Sequence, residues 1–561
     1  MKTSPILFAS LILLVGLVLC AAPKRGRAAD KKTKPLDSSF LRDYSLTRGY
    51  MLGRPQKATP TPDGSAVLFL RAKPREAKMS LFEFDVASQK TRELLSPAAL
   101  LKGAEEKLTP EEKARRERMR VSVGGFTTFQ LSPDGQLILL SLSGKLYTVR
   151  RGGQPDITEL KTGNGTLLDP KFSPDGALVS YVLDHDVYVY NLQTNKEERA
   201  TTHGNEKVSH GLAEFVAQEE MDRYTGYWWS PDSKRIVYAV ADANDVEVWH
   251  VSDPAKPEQE PFTSFYPRPG KKNVDVRLEI TTVGDKNDAT IFWDRKKHPY
   301  LAQVRWDKLG PLTITVQSRD QQELVLLLVD PRTGKTTPLV TDKDAAWINL
   351  DPKLPRWLGE ERFLWQNESD EGTQLELRSK SNKKAGVLVP ARLGYQELID
   401  VDAEAGNIVF AASTDPTQSQ LYRLSLKEGS KPEALTKAPG LHGAVFAKNH
   451  SIYVETTVGP SAMPVTTVHQ ADGTRIGTLP SVAEEPPFVP QTEWVKIGAK
   501  EGYYASITRP HDFDPKKKYP VIDYVYGGLR HQKVLQAMNT RLIDQWLADQ
   551  GFIVVSIDNR G

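Results

Sequence analysis

Ser132-Pro-Asp-Gly-Gln-Leu-Ile-Leu-Leu-Ser141 and Ser173-Pro-Asp-Gly-Ala-Leu-Val-Ser-Tyr181 are two copies of one unit, a four-residue turn that runs straight into a β-rich strand. Proline presets φ, aspartate bonds back to the backbone, and glycine accepts positive φ, so the tetrad specifies a tight turn by local chemistry alone. The unit recurs as Thr61-Pro-Asp-Gly64 before Ala66-Val-Leu-Phe-Leu70, and as Ser230-Pro-Asp-Ser233 before Arg235-Ile-Val-Tyr-Ala239. From Pro133 to Pro174 the interval is 41 residues, which suits one four-stranded propeller blade. Later units lose the tetrad but keep the rhythm. Leu324 to Gly334 reads as a strand and turn, and Asn407 to Ala412 pairs with Ser419 to Leu424. The span from about 50 to 490 holds roughly eight blades of 40 to 55 residues. An array of β-sandwiches is the competing reading, and four tetrads of one type favour the propeller.

After Pro490 the pattern changes. Trp494 to Gly498 and Tyr503 to Thr508 read as hairpin strands, and Val521-Ile-Asp-Tyr-Val-Tyr526 as a buried strand ending in Gly527-Gly528. Residues 540–549 have a helical pattern, and Gly551 to Ile557 reads as a second buried strand. Strand, helix, strand with near-continuous apolar runs predicts a parallel α/β sheet. About 65 residues do not close a doubly wound domain of ordinary size, so the sequence is expected to be a partial product.

Composition excludes several classes. The 561 residues carry 74 basic and 71 acidic side chains, a net charge of +3, which is no nucleic-acid footprint. Nineteen Tyr, 18 Phe and 10 Trp furnish a large aromatic-rich core. Met1-Lys2, the apolar run Ile6 to Leu19, and Ala21-Ala22 read as a secretory signal over 1–22. The run is short for a membrane span, so the mature chain is expected to have no stable span; an uncleaved anchor is the alternative. Residues 23–39 read as a disordered basic linker. Cys20 is the only cysteine, so the mature protein forms no internal disulfide and relies on a large core. Export to a bacterial periplasm or the extracellular space is the expectation. Neither a metal-ligand cluster nor a nucleotide-binding loop stands out, so neither cofactor nor metal is expected.

Two further segments carry chemistry. Within an insertion over 99–120, Thr109-Pro-Glu-Glu112 is a capping box with proline at the first helical position, which starts a helix. That helix delivers Arg115, Arg116, Arg118 and Arg120 just before Gly124-Gly-Phe126. Arginines on such an arm suit a carboxylate or a substrate carbonyl; most read as solvated helix faces. Farther on, Ala213 to Asp232 places the adjacent carboxylates Glu219 and Glu220 at the end of a short helical pattern, followed at once by Tyr227-Trp-Trp229. Two fixed anions beside aromatics suit a small cation such as a peptide's free amino terminus, since neighbouring charges held partly out of water need a counter-ion. A solvated acidic helix end is the other reading.

From Phe40 to Gly561 the chain resembles dipeptidyl peptidase IV and its bacterial relatives in the prolyl oligopeptidase clan. Glu214-Phe-Val-Ala-Gln-Glu-Glu-Met-Asp-Arg223 with Gly226 to Asp232 is similar to the family's double-glutamate motif. Tyr266-Pro-Arg-Pro-Gly270, Ser318-Arg-Asp-Gln321, Trp347-Ile-Asn349, Lys518-Tyr-Pro520, Val525-Tyr-Gly-Gly528 and Ile557-Asp-Asn-Arg-Gly561 follow in the family's order. The resemblance implies a mainly β fold: an eight-bladed β-propeller over 40–490, then the truncated start of an α/β-hydrolase (peptidase) domain over 491–561. It implies a serine-type dipeptidyl peptidase that releases X-Pro or X-Ala dipeptides from peptides with a free amino terminus. By position Glu219 and Glu220 hold the substrate ammonium, Tyr526 assists the oxyanion, and the assisting arginine is Arg120 or Arg118. Tyr526 as a sheet-edge aromatic is the alternative. A homodimer of the full-length protein is also implied.

The chain departs from the family pattern where Gly-Gly-Leu529 replaces Gly-Gly-Pro, and in lacking any Gly-x-Ser-x-Gly. The serine, aspartate and histidine are therefore expected beyond Gly561, and the 561 residues alone are expected to be inactive. His511 and His531 precede any elbow, and hydrolases of this fold order the triad Ser, acid, His, so both read as surface residues. A non-catalytic propeller acting as a binding scaffold is the alternative function. A related peptidase with different cutting is a third, and it has no need of an ammonium clamp.

Overall fold

The computed structural model describes residues 38–153, 156–369, 371–381, 384–499, 502–528 and 531–559; the expected signal segment, most of the basic linker, Cys20 and Leu529 lie outside the described residues. Eight sheets follow one another along the chain, over 56–95, 129–159, 168–199, 208–291, 300–343, 356–389, 395–434 and 441–478. Each is a four-stranded antiparallel meander, and the first and fourth carry one short extra strand.

Neighbouring sheets pack face to face. Leu68 and Leu70 of the first meet Ile138 and Leu140 of the second. Val237 and Leu278 of the fourth meet Leu301 and Ile314 of the fifth. The series returns on itself, because Val67 and Phe69 of the first sheet pack on Ile452 and Val454 of the eighth. A sheet covered on both faces buries successive residues rather than alternate ones, which is why Ala66-Val-Leu-Phe-Leu70 is continuously apolar and buried. Each such Leu, Val or Phe contributes roughly 1.5–3 kcal/mol by leaving water. The junction of the seventh and eighth sheets is made differently, by a bridge between Ser419 and Leu441 and by the His442 N–H donating to Ser419 O at 3.1 Å.

The turn tetrads form as their chemistry requires. Leu137 N–H donates to Ser132 Oγ at 2.8 Å and Gly135 N–H to Ser132 O at 2.8 Å, while Gly135 sits at φ +72. Leu178 N–H donates to Ser173 Oγ at 3.0 Å, and Arg235 N–H to Ser230 Oγ at 2.8 Å. The turns also touch in sequence. A Cβ on Gly135 would come within 2.7 Å of Pro62, and one on Gly176 within 3.1 Å of Pro133. Ser233 Oγ accepts from Asp175 N–H at 3.0 Å, and Pro62 O accepts from Asn449 N–H of the eighth sheet at 3.1 Å. Ser318-Arg-Asp-Gln321 is a fifth turn of the same kind, with Glu323 N–H donating to Ser318 Oγ at 3.0 Å and Gln321 at φ +61.

Other elements lie outside the meanders. Helices Pro97–Leu101 and Pro110–Arg118 are inserted between the first and second sheets; Thr109 caps the latter, accepting from Glu112 N–H at 3.2 Å. A two-stranded ribbon, Val248–Val251 with Phe262–Phe265, leaves the fourth sheet. The last sheet has the order Thr492–Ile497, Tyr503–Thr508, Ile553–Ile557, Val521–Asp523, with its final pair parallel and helix Leu542–Asp549 packed against it. The expected buried strand Val521–Tyr526 is corrected here. Among the described residues the paired strand is Val521–Asp523, with Tyr524 N–H still donating to Val555 O at 2.8 Å, and Val521 and Val525 are 60% and 63% exposed.

Candidate functional site

The first strands of sheets one, two, three and five, the short strand Tyr227–Trp229 of the fourth, and Phe446 of the eighth line a cavity of about 1210 Å3. Its wall includes Pro60, Phe129, Lys171, Tyr227, Trp229 and Arg305, and the turn prolines Pro62, Pro133, Pro174 and Pro231. Met221, Asp222, Arg223 and Tyr224 also line it. These four immediately follow Glu219 and Glu220 in sequence, and the glutamate pair itself is not part of the lining.

The glutamates end the helix Phe215–Glu220. Glu214 caps its start, accepting from Val216 N–H at 2.6 Å and Ala217 N–H at 2.8 Å. Burial raises the Glu214 pKa against the pull of Arg223, and burial lowers Arg223 to about 10 against the pull of Glu214. Arg223 anchors the segment after the helix, donating to Leu301 O at 3.1 Å and Thr225 O at 2.9 Å. Glu219 has a side chain 23% exposed, with its Oε2 3.8 Å from Arg120 Nη2; Arg120 is itself 80% exposed. Glu220 is exposed. The pair thus combines one half-buried carboxylate, with a cation at long range, and one carboxylate facing water.

Three of the four arginines, Arg115, Arg116 and Arg118, are held by partners rather than solvated, so the expectation for most of them is corrected, while Arg120 is exposed. Arg116 is buried and pairs with Glu106 at 2.8 Å and Glu112 at 2.6 Å. Arg115 donates to Tyr224 O at 3.2 Å and pairs with Asp169 at 3.2 Å. Arg118 donates to Gln218 Oε1 at 3.3 Å and lies 5.2 Å from the Phe215 ring; burial lowers its pKa against the pull of Glu219. Tyr224 Oη–H donates to Arg118 O at 3.2 Å. Of the two candidate arginines, Arg120 therefore ion-pairs with Glu219, while Arg118 braces the glutamate helix from its side.

Asp169 is the hub that residue reading missed. Its carboxylate accepts from Thr225 Oγ1 at 2.7 Å and pairs with Lys171 at 2.9 Å as well as Arg115, and its carbonyl accepts from Tyr227 Oη at 2.6 Å. These cations hold its carboxyl below the usual range although burial opposes them. Leu168-Asp-Pro-Lys171 carries no motif, and its one signal is a charged residue inside a strand that closes on a blade.

Tyr526 is 58% exposed, with His531 edge-on to its ring at 4.4 Å between centroids. The ring folds back over Gly528, where any Cβ would come within 2.4 Å of it. His511 is also at the surface, with Nδ1 2.9 Å from Asp549. Among the described residues no three His, Cys, Asp or Glu side chains are placed to hold a metal ion, and no helix is long and apolar enough to cross a membrane.

Comparison with known proteins follows from this architecture. The family model of the dipeptidyl peptidase IV N-terminal region matches residues 132–464. The chain is 25% identical to dipeptidyl peptidase 8 of Mus musculus over 570 residues, covering 80% of this chain and 62% of that protein. It is 25% identical to a probable dipeptidyl-aminopeptidase B of Aspergillus clavatus, covering 77% of this chain and 52% of that one. The chain thus spans less than two thirds of the length of these relatives. The crystal structure of Porphyromonas gingivalis dipeptidyl peptidase 4 shares the fold, with a TM-score of 0.73 at 20% identity over 92% of this chain and 73% of that one. With more than half of its residues matched by the family model, this chain belongs to the dipeptidyl peptidase IV family.

Proposed function

We propose that the protein is an exported serine-type dipeptidyl peptidase that releases X-Pro or X-Ala dipeptides, and that these residues supply its substrate receptor as an eight-bladed propeller. In this reading Glu219 receives the substrate's ammonium with Arg120 beside it, and Glu220 supplies the second carboxylate. Anchoring the amino end turns specificity into a distance: the bond cut lies two residues from the clamp. Tyr526 donates to the oxyanion, a contribution of roughly 3 kcal/mol when such a donor is preorganised.

The observation that carries the proposal is the half-buried Glu219, 3.8 Å from Arg120, two residues before Met221, where the stretch that lines the cavity begins. Calorimetric titration with Ala-Pro and N-acetyl-Ala-Pro tests it. The free-amine dipeptide is expected to bind and the acetylated one not. Glu219→Gln is expected to weaken Ala-Pro by about 2–5 kcal/mol, the cost of removing one partner of a desolvated charge pair. Equal binding of the two ligands would sink the clamp.

A further inference from the structure

The ribbon Val248–Val251 with Phe262–Phe265 pairs with no other strand among the described residues. A lone two-stranded hairpin is marginal in water, so its placement depends on side chains. Those side chains form one line. The Arg268 guanidinium makes a two-point pair with Glu247 at 2.6 and 2.9 Å and lies 5.6 Å from the Trp249 ring. Trp249 meets the edge of Tyr266 at 5.3 Å, and Tyr266 meets Phe215 edge-on at 5.0 Å. Arg118 lies 5.2 Å from the Phe215 ring and donates to Gln218. The second strand of the ribbon, Phe262–Phe265, shares a second cavity of about 410 Å3 with Phe215, Arg118 and Gln218.

Phe215 is the first residue of the helix that ends in Glu219 and Glu220. Six residues do not hold a helix in water by themselves. Carboxylates at its C-terminal end face the negative end of the dipole and are not favoured there. Beyond the Glu214 cap and the Arg118 bond to Gln218, their position is fixed from outside by Arg223, which holds the end of the segment through Leu301 O, and by Phe215 at its start. We infer that Tyr266 and Trp249 are positioning residues, which clamp Phe215 and thereby set where Arg118 and Glu219 stand. The ribbon then tunes the affinity of the site through its ring contacts, without touching the ligand.

This inference rests on the proposed ammonium receptor for its binding readout, and a second readout stands without it. Tyr266→Ala, Tyr266→Phe and Trp249→Ala are compared with wild type in the full chain. Amide hydrogen exchange is followed at Gln218 to Met221, where faster exchange reports local opening. Tyr266→Ala and Trp249→Ala should speed exchange there by about tenfold, the upper end of what one ring pair contributes, with exchange in the sheet over 356–389 unchanged. Tyr266→Phe, which keeps the ring, should match wild type. Calorimetry should show Ala-Pro weakened by a similar factor in both alanine variants and restored in Tyr266→Phe.

Unchanged exchange at 218–221 in both alanine variants would overturn the inference, as would loss of protection in Tyr266→Phe equal to that in Tyr266→Ala. If exchange responds as expected but Ala-Pro and its acetylated form bind alike, the positioning stands and the ammonium receptor falls.

Discussion

The turn ring and the glutamate segment are both built from short polar motifs, and they are held in opposite ways. Each turn makes its defining bonds within five residues: Ser132 to Leu137, Ser173 to Leu178, Ser230 to Arg235. The glutamate segment is held by partners far away in sequence: Arg115 to Tyr224, Asp169 to Thr225, Arg223 to Leu301, Arg118 to Gln218. A turn is therefore specified before the ring exists, whereas the site exists only once three sheets and an inserted helix have come together. Five copies of one local rule give a scaffold, and a site of singular contacts is placed upon it.

Breaking this contrast at the site should cost most. Arg223→Met leaves the part-buried Glu214 without its nearer opposing charge and strips two carbonyls of a donor. A loss of about 3–5 kcal/mol is expected, as for other buried pairs deprived of one partner, read from the midpoint of chemical denaturation. A cost below about 1 kcal/mol would show that the glutamate segment is not anchored there. An intermediate case lies between the third and fourth sheets. Asp186 is fully buried and accepts from Thr201 Oγ1 at 2.6 Å and Gly204 N–H at 2.9 Å, pairs with His210 at 2.7 Å, and contacts Arg199. Burial pushes its pKa up, but these partners outweigh it and hold it at about 2. A carboxylate depressed on folding adds stability above its unfolded pKa of about 4, and loses it as pH falls through the folded value. Stability measured from pH 5 down to pH 2 should thus fall by about 2 kcal/mol on this account, and Asp186→Asn should flatten that limb.

The same contrast explains what could be read in advance. The tetrads announced the sheets because Pro, Asp and Gly do their work locally, and Thr109 announced its helix because a cap is local too. Glu219, Glu220, Arg118 and Arg120 were visible as residues, and the resemblance to a family supplied their roles. Their differing environments were not visible. Whether Arg115 meets water or Asp169 depends on a strand over 50 residues away. Asp169 itself had only the signal of a charge inside a strand, since one aspartate before a proline looks like a turn until Lys171, Thr225 and Arg115 converge on it. The strand expected through Tyr526 is paired only over Val521–Asp523, a boundary that an apolar run alone does not mark.

The smallest expected effect is the sharpest test of the comparison, because it concerns additivity rather than size. Ser132→Ala and Ser318→Ala each remove one acceptor from a backbone N–H, Leu137 at 2.8 Å and Glu323 at 3.0 Å. Each should cost about 1 kcal/mol. The two turns belong to different sheets and share no partner, so the double variant should equal the sum of the singles within about 0.5 kcal/mol. Arg115→Met and Asp169→Asn, which remove the two ends of one contact, should instead show a coupling of at least about 0.5 kcal/mol. If the turn pair couples as strongly as the site pair, the ring of turns is not a set of independent local devices. The contacts of Pro62 with Gly135 and of Pro133 with Gly176 would then be transmitting strain around it.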